Sequence, residues 1–109
     1  MINIEDFKKI EIVVGEILSA EKVPETDKLL KLSVNLGEPL PRQIVSGISL
    51  YFPDCAGLVG KKCMFVANLE PRTIRGLESQ GMILAVSTSE GKFSLLAPSD
   101  EIPVGTRAK

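Results

Sequence analysis

The stretch IEIVVGEILSA, residues 10–20, carries the pattern on which the fold turns. Ile10, Ile12 and Val14 alternate with Lys9, Glu11 and Val13, the period-two signature of a half-buried strand. After Gly15 the phase slips, because Ile17 occupies the next clearly apolar position. A glycine at a phase slip predicts a β-bulge, which lets a long first strand curl around a small barrel. Two short strands broken at Gly15 is the plainer alternative.

Further along, Leu30, Leu32, Val34 and Leu36 alternate with Lys31, Ser33 and Asn35 in the cleanest strand pattern of the chain. Pro39 and Pro41 close it, since proline cannot donate to a central ladder. Other strands are predicted over 43–48, 62–67, 82–87 and 92–96, the last two joined by a tight turn at 88–91. Asn3 is placed to cap a single helical turn, and 49–60 reads as a loop with one helical turn. The tail, 98–109, holds Ile102 and Val104, which are expected to pack on something. Many short strands and no long helix predict an all-β protein. The best-populated small option is the OB-fold, a five-stranded Greek-key barrel, here with short helical turns and a C-terminal extension. A Greek-key sandwich is the runner-up. All 109 residues fit one domain.

Lys plus Arg is 13 and Asp plus Glu is 14, so the net charge is −1. That balance disfavours nonspecific polyanion binding, for which a strongly basic domain is expected. Histidine is absent, which removes the commonest general base and a leading metal ligand. Cys55 and Cys63 match no zinc spacing and are expected to be reduced thiols. With no signal peptide and no apolar run of membrane-spanning length, a cytoplasmic, membrane-free protein is expected. Neither Gly57–Lys62 nor Gly76–Gly81 completes a phosphate-binding loop, and no serine has a histidine to activate it. An enzyme, a metal and a cofactor are all disfavoured.

The connection NLEPRTIRGLESQGM, 68–82, is about three times longer than an ordinary hairpin loop, and loops of that kind are usually functional. With 42–48 it supplies the parts of a single-stranded RNA site. Lys28, Arg42, Arg72 and Arg75 are the candidate cations, Ser46, Asn68, Ser79 and Gln80 the base-edge readers, and Met82 an apolar platform. Only five aromatic residues are present, which argues for a small, shape-selective site over a stacking-rich surface. Singly, each of these residues is more often a solvated loop residue.

Four segments, DKLLKL (27–32), RQIVSGI (42–48), VANLEPR (66–72) and SQGM (79–82), occur together and in order. In this the chain resembles the OB-fold tRNA-binding domain family. That family includes the C-terminal appendage of methionyl-tRNA synthetases, a free-standing dimeric tRNA-binding protein, and a domain at the start of the phenylalanyl-tRNA synthetase β chain. The resemblance implies non-catalytic binding of the tRNA outer corner by shape, on a homodimer, with a synthetase catalytic domain as a further partner in the same chain. It points to Lys28, Arg42, Ser46, Asn68, Ser79, Gln80 and Met82 as RNA-facing. A chaperone-like branch of the family leaves a second expectation open, a protein-interaction OB-fold dimer with an apolar groove.

Overall fold

The computed structural model describes residues 1–109. A helical turn α1 (Ile4–Phe7) is capped by Asn3, whose side chain accepts from the Asp6 N–H at 2.9 Å. The long strand β1 (Ile12–Lys22) follows, then β2 (Leu30–Asn35), β3 (Arg42–Ser46) and β4 (Lys62–Val66). Two 3-10 turns, Ser49–Tyr51 and Cys55–Leu58, lie between β3 and β4. The remaining strands are β5 (Arg72–Ile74), β6 (Leu77–Ser79), β7 (Met82–Ile83), β8 (Ala85–Ser87) and β9 (Phe93–Leu95).

The main antiparallel sheet runs β3-β2-β1-β4-β7 and curls into a nearly closed barrel. This is the all-β OB-like architecture expected from the strand pattern. Leu30, Leu32, Val34, Ile44, Leu58 and Phe65 fill the barrel and are inaccessible to solvent or nearly so. Burying each such side chain stabilises by about 1.5–3 kcal/mol before entropy is counted.

The bulge is not at Gly15. The inward phase of β1 is Val13, Gly15 and Ile17, and the register slips between Ile17 and Ser19. Both faces of β1 carry apolar residues near its start, so alternation alone picks the wrong phase. Gly15 serves packing instead. A Cβ there would lie 2.6 Å from Leu36 Cδ2 and 2.7 Å from the Phe65 ring, so the ring occupies the space a side chain would need.

The 68–82 connection is not a structureless loop. It contains the β5–β6 hairpin, whose tip, Arg75 and Gly76, has φ of 52° and 81°. Two positive φ values in a two-residue turn match the right-handed twist of the flanking strands. Three-residue strands are too short to show a period in sequence, which hides the hairpin. The 82–87 strand likewise divides: β7 pairs with β4, and β8 pairs with β9.

The tail joins the barrel. The Val14 N–H donates to the Thr106 carbonyl at 2.9 Å, Gly105 N–H to the Val14 carbonyl at 2.8 Å, and Arg107 bridges to Val13. Ile102 and Val104 are half-buried in the single chain. Both cysteines are free thiols, and burial pushes that of Cys63 up, partly opposed by Lys61. No helix is long and apolar enough to cross a membrane.

Candidate nucleic-acid interface

Sheet closure decides which polar residues are left for a ligand. β3 and β7 are the two edges of the main sheet, and no ladder joins them. Their backbone groups still need partners, because an unpaired buried N–H costs about 1–3 kcal/mol. Residues 78–81 provide them. The Ser79 hydroxyl accepts from the Val45 N–H at 3.0 Å and donates to the Gly81 carbonyl at 3.1 Å. Gln80 exchanges two bonds with Gln43: its N–H donates to the Gln43 carbonyl at 2.8 Å, and its Oε1 accepts from the Gln43 N–H at 3.1 Å. The Gln43 side chain in turn donates to the Glu78 carbonyl at 3.0 Å. Side chains thus stand in for the missing strand pairing.

Arg42 fastens the same seam. Its Nε and Nη2 donate to the two oxygens of Glu38 at 2.8 and 2.7 Å. Its Nη1 donates to the carbonyls of Ala67 and Gln80, the latter at 3.1 Å. Hydrogen bonding from Arg42 holds the Glu38 carboxyl below the usual carboxylate range, opposed by slight desolvation and aided by the guanidinium charge. Asn68 is a clip between distant segments: its Oδ1 accepts from the Glu11 N–H at 2.8 Å, and its Nδ2 donates to the Lys9 carbonyl at 2.6 Å. Four of the nine residues singled out from sequence, Arg42, Asn68, Ser79 and Gln80, therefore have their polar ends engaged within the protein. Side chains that pair with backbone and side chains that read a base edge are the same residue types, so composition could not separate them.

The other five, Lys28, Ser46, Arg72, Arg75 and Met82, are differently placed. Lys28 lies in the 23–29 loop between β1 and β2, and its carbonyl accepts from the Ser49 N–H at 2.9 Å. Ser46 sits opposite Leu30, near the same end of the sheet. Arg72 is exposed at the base of the hairpin, opposite Ser79. Met82 is 39% exposed, although it belongs to a barrel strand. Lys28 and Arg75 line one depression, together with Glu25, Asp27 and Ile74. Neither cation, nor Arg72, is in an ion pair. Glu25 and Asp27 offset their charge locally, so this edge suits a few aligned phosphates better than a dense polyanion.

A five-stranded, nearly closed antiparallel barrel is the architecture of the OB-fold, in which the loops and one sheet face bind oligonucleotides or oligosaccharides. Residues 12–107 match the family profile described as "Putative tRNA binding domain", and the chain belongs to that family. It is 45% identical over 104 residues to the methionine–tRNA ligase of Enterococcus faecalis and 49% identical over 106 residues to that of Caldanaerobacter subterraneus. These alignments cover 95% and 97% of this chain but 16% of each ligase, so the chain spans about a sixth of the length of those relatives. Among solved structures it is similar to the MetRS-related protein of Pyrococcus horikoshii, with a TM-score of 0.90 and 40% identity over 100% of this chain and 98% of that one. The chaperone CsaA of Bacillus anthracis is also similar, with a TM-score of 0.87 and 28% identity over 100% of this chain and 99% of that one.

Proposed function

We propose that this chain is a non-catalytic tRNA-binding module. It recognises tRNA by shape along the edge formed by the 23–29 loop and the β5–β6 hairpin. The observation that carries this reading is the meeting of Lys28 and Arg75, both unpaired, at one depression of a barrel from the tRNA-binding family. Arg72 and Met82 extend the edge, and Ser46 borders it. The module works in the cytoplasm, as part of a methionine–tRNA ligase or as its free-standing counterpart. In a ligase it raises the effective concentration of tRNA at the catalytic domain, so modest affinity suffices. The similarity to the chaperone CsaA favours a second reading, protein binding.

Salt separates the two. Removing one phosphate-binding cation should lower the slope of log affinity against log salt by about 0.7–0.9. Lys28→Ala and Arg75→Ala are each expected to weaken tRNA binding and to flatten that slope. Both residues are exposed, so melting should be unchanged. A wild-type affinity indifferent to salt would favour an apolar protein partner, because apolar burial is not screened.

Assembly as a two-fold homodimer is part of the proposal. The surface that supports it is formed by the N-terminal turn together with the end of the tail. α1 buries none of its residues, and Ile2 and Ile4 are largely exposed. Ile4, Phe7 and Ile10 line a depression with Lys8, Arg107, Ala108 and Lys109, so both termini border one surface of apolar and cationic side chains. The exposed isoleucines of this surface supply the apolar area that an isologous pair would bury. Ile4→Glu should shift the protein to monomer in sedimentation velocity without lowering the melting temperature. A wild type that stays monomeric at high micromolar concentration would remove the dimer.

A further inference from the structure

We propose a second RNA contact, resting on the tRNA-binding reading. The groove between the 3-10 turn Ser49–Tyr51 and the β8–β9 hairpin is a stacking platform for one unpaired base, and Tyr51 is its surface. Three of the five aromatic residues meet here, although Tyr51 and Phe93 are far apart in sequence. The Tyr51 and Phe93 rings lie parallel, with centroids 4.0 Å apart and planes 7° from each other. Phe52 meets Phe93 edge-on at 5.8 Å. Phe52 and Phe93 pack against the barrel core, so the platform has a rigid backing. Tyr51 is 47% exposed although one face of its ring lies on Phe93, so the solvent-facing part of the ring is what a base would cover.

The groove encloses about 660 Å³, within the usual range for a site that takes a small ligand such as a single nucleotide. Its rim is cationic. Lys62 is engaged by Glu101 at 3.1 Å and by the Ile102 carbonyl at 2.9 Å, but Lys61 on the rim makes no ion pair. Lys92, beside Phe93 on the adjoining depression, makes none either. A flat ring with free cations beside it is what a single-stranded nucleotide requires: the base stacks and the phosphate is neutralised. An apolar peptide would use the rings and leave both lysines idle, so the charge favours RNA. A base already stacked in a duplex has no free face, which restricts the site to unpaired nucleotides. The groove shares no lining residue with the Lys28–Arg75 depression.

The chain has one tyrosine and no tryptophan, so its intrinsic emission comes from Tyr51 alone. The full chain would be titrated with hexaadenylate and, separately, with tRNA. Free tyrosine would correct for light absorbed by the nucleic acid. Saturable quenching is expected with both RNAs. Read instead by the anisotropy of end-labelled hexaadenylate, Tyr51→Ala should weaken binding about ten- to hundredfold, whereas Tyr51→Phe, which keeps the ring, should bind close to wild type. Lys61→Ala and Lys92→Ala should each lower the salt slope by about 0.7. Quenching in the wild type stands whether or not the alanine variant folds. Normal tRNA binding with unchanged emission and an unaffected Tyr51→Ala variant would overturn the platform while leaving the Lys28–Arg75 edge intact. Binding of neither RNA would overturn both. Quenching by an apolar peptide but not by RNA would overturn the platform and assign the groove to a protein partner.

Discussion

Gly81→Ala is expected to destabilise the protein by on the order of 3 kcal/mol, the largest effect of any small substitution in the 68–82 segment. Gly81 is buried and has φ of 150°, a conformation that residues with a side chain rarely adopt. A Cβ built there would lie 3.0 Å from the Val66 carbonyl oxygen and 3.2 Å from Ile44 Cδ1. The carbonyl belongs to β4 and the methyl to the core, so neither can retreat without opening the seam. The melting midpoint should fall by roughly 12–24 °C, taking about 4–8 °C per kcal/mol for a domain of this size. Ser79→Ala is the milder companion. It leaves the buried Val45 N–H without its acceptor and should cost about 1–3 kcal/mol. For both variants, tRNA affinity measured well below the midpoint should match the wild type. Selective loss of RNA binding with unchanged melting would return these residues to the ligand surface.

Arg42→Ala should cost about 2–3 kcal/mol, since several charge-assisted hydrogen bonds disappear at once. The Ala67 and Gln80 carbonyls lose a shared donor, and Glu38 loses its counter-ion. Arg42→Lys should restore little of this, because an ammonium cannot present the planar fork that spans Glu38 and two carbonyls. The effect should also depend on pH. Folding lowers the Glu38 pKa, so the folded state binds that proton less tightly than the unfolded chain. The stabilisation is present above the ordinary carboxylate pKa and is lost as the pH falls through the folded value. Because 41% of the Glu38 side chain is exposed, solvent screening keeps this part small. Urea midpoints near neutrality and below the carboxylate range would measure it: the gap between wild type and Arg42→Ala should narrow in acid. A gap that is constant with pH would show that Glu38 contributes nothing. Normal stability with salt-dependent loss of RNA affinity would instead make Arg42 a phosphate ligand.

The strands that carry a full alternation, 30–36 above all, are legible because burial on one face imposes a period of two over enough residues to be seen. β5, β6 and β7 have two or three residues each, too few for any period. The phase of β1 is obscured for a related reason. Val14 is buried although it lies outside the barrel core, and its backbone bonds to the returning tail, residues far along the chain that no local window contains. The 79–82 motif is visible as unusual, and its meaning is not. A serine, a glutamine and a glycine in a row suit a ligand that approaches closely, and equally a barrel edge that does.

Three things can be read from the chain without its structure: the class of fold, the absence of any histidine, and the four segments that resemble the tRNA-binding family. Alternation, composition and ordered motifs are local or additive properties of a chain. Which polar groups are spent and which are free is a matter of three-dimensional packing. Ser79, Gln80 and Arg42 close the sheet, Asn68 is tied to the N-terminal segment, and Lys28, Arg72 and Arg75 remain without ion pairs. Hydrogen-bond capacity belongs to a side chain, but whether it is already satisfied depends on partners more than thirty residues away.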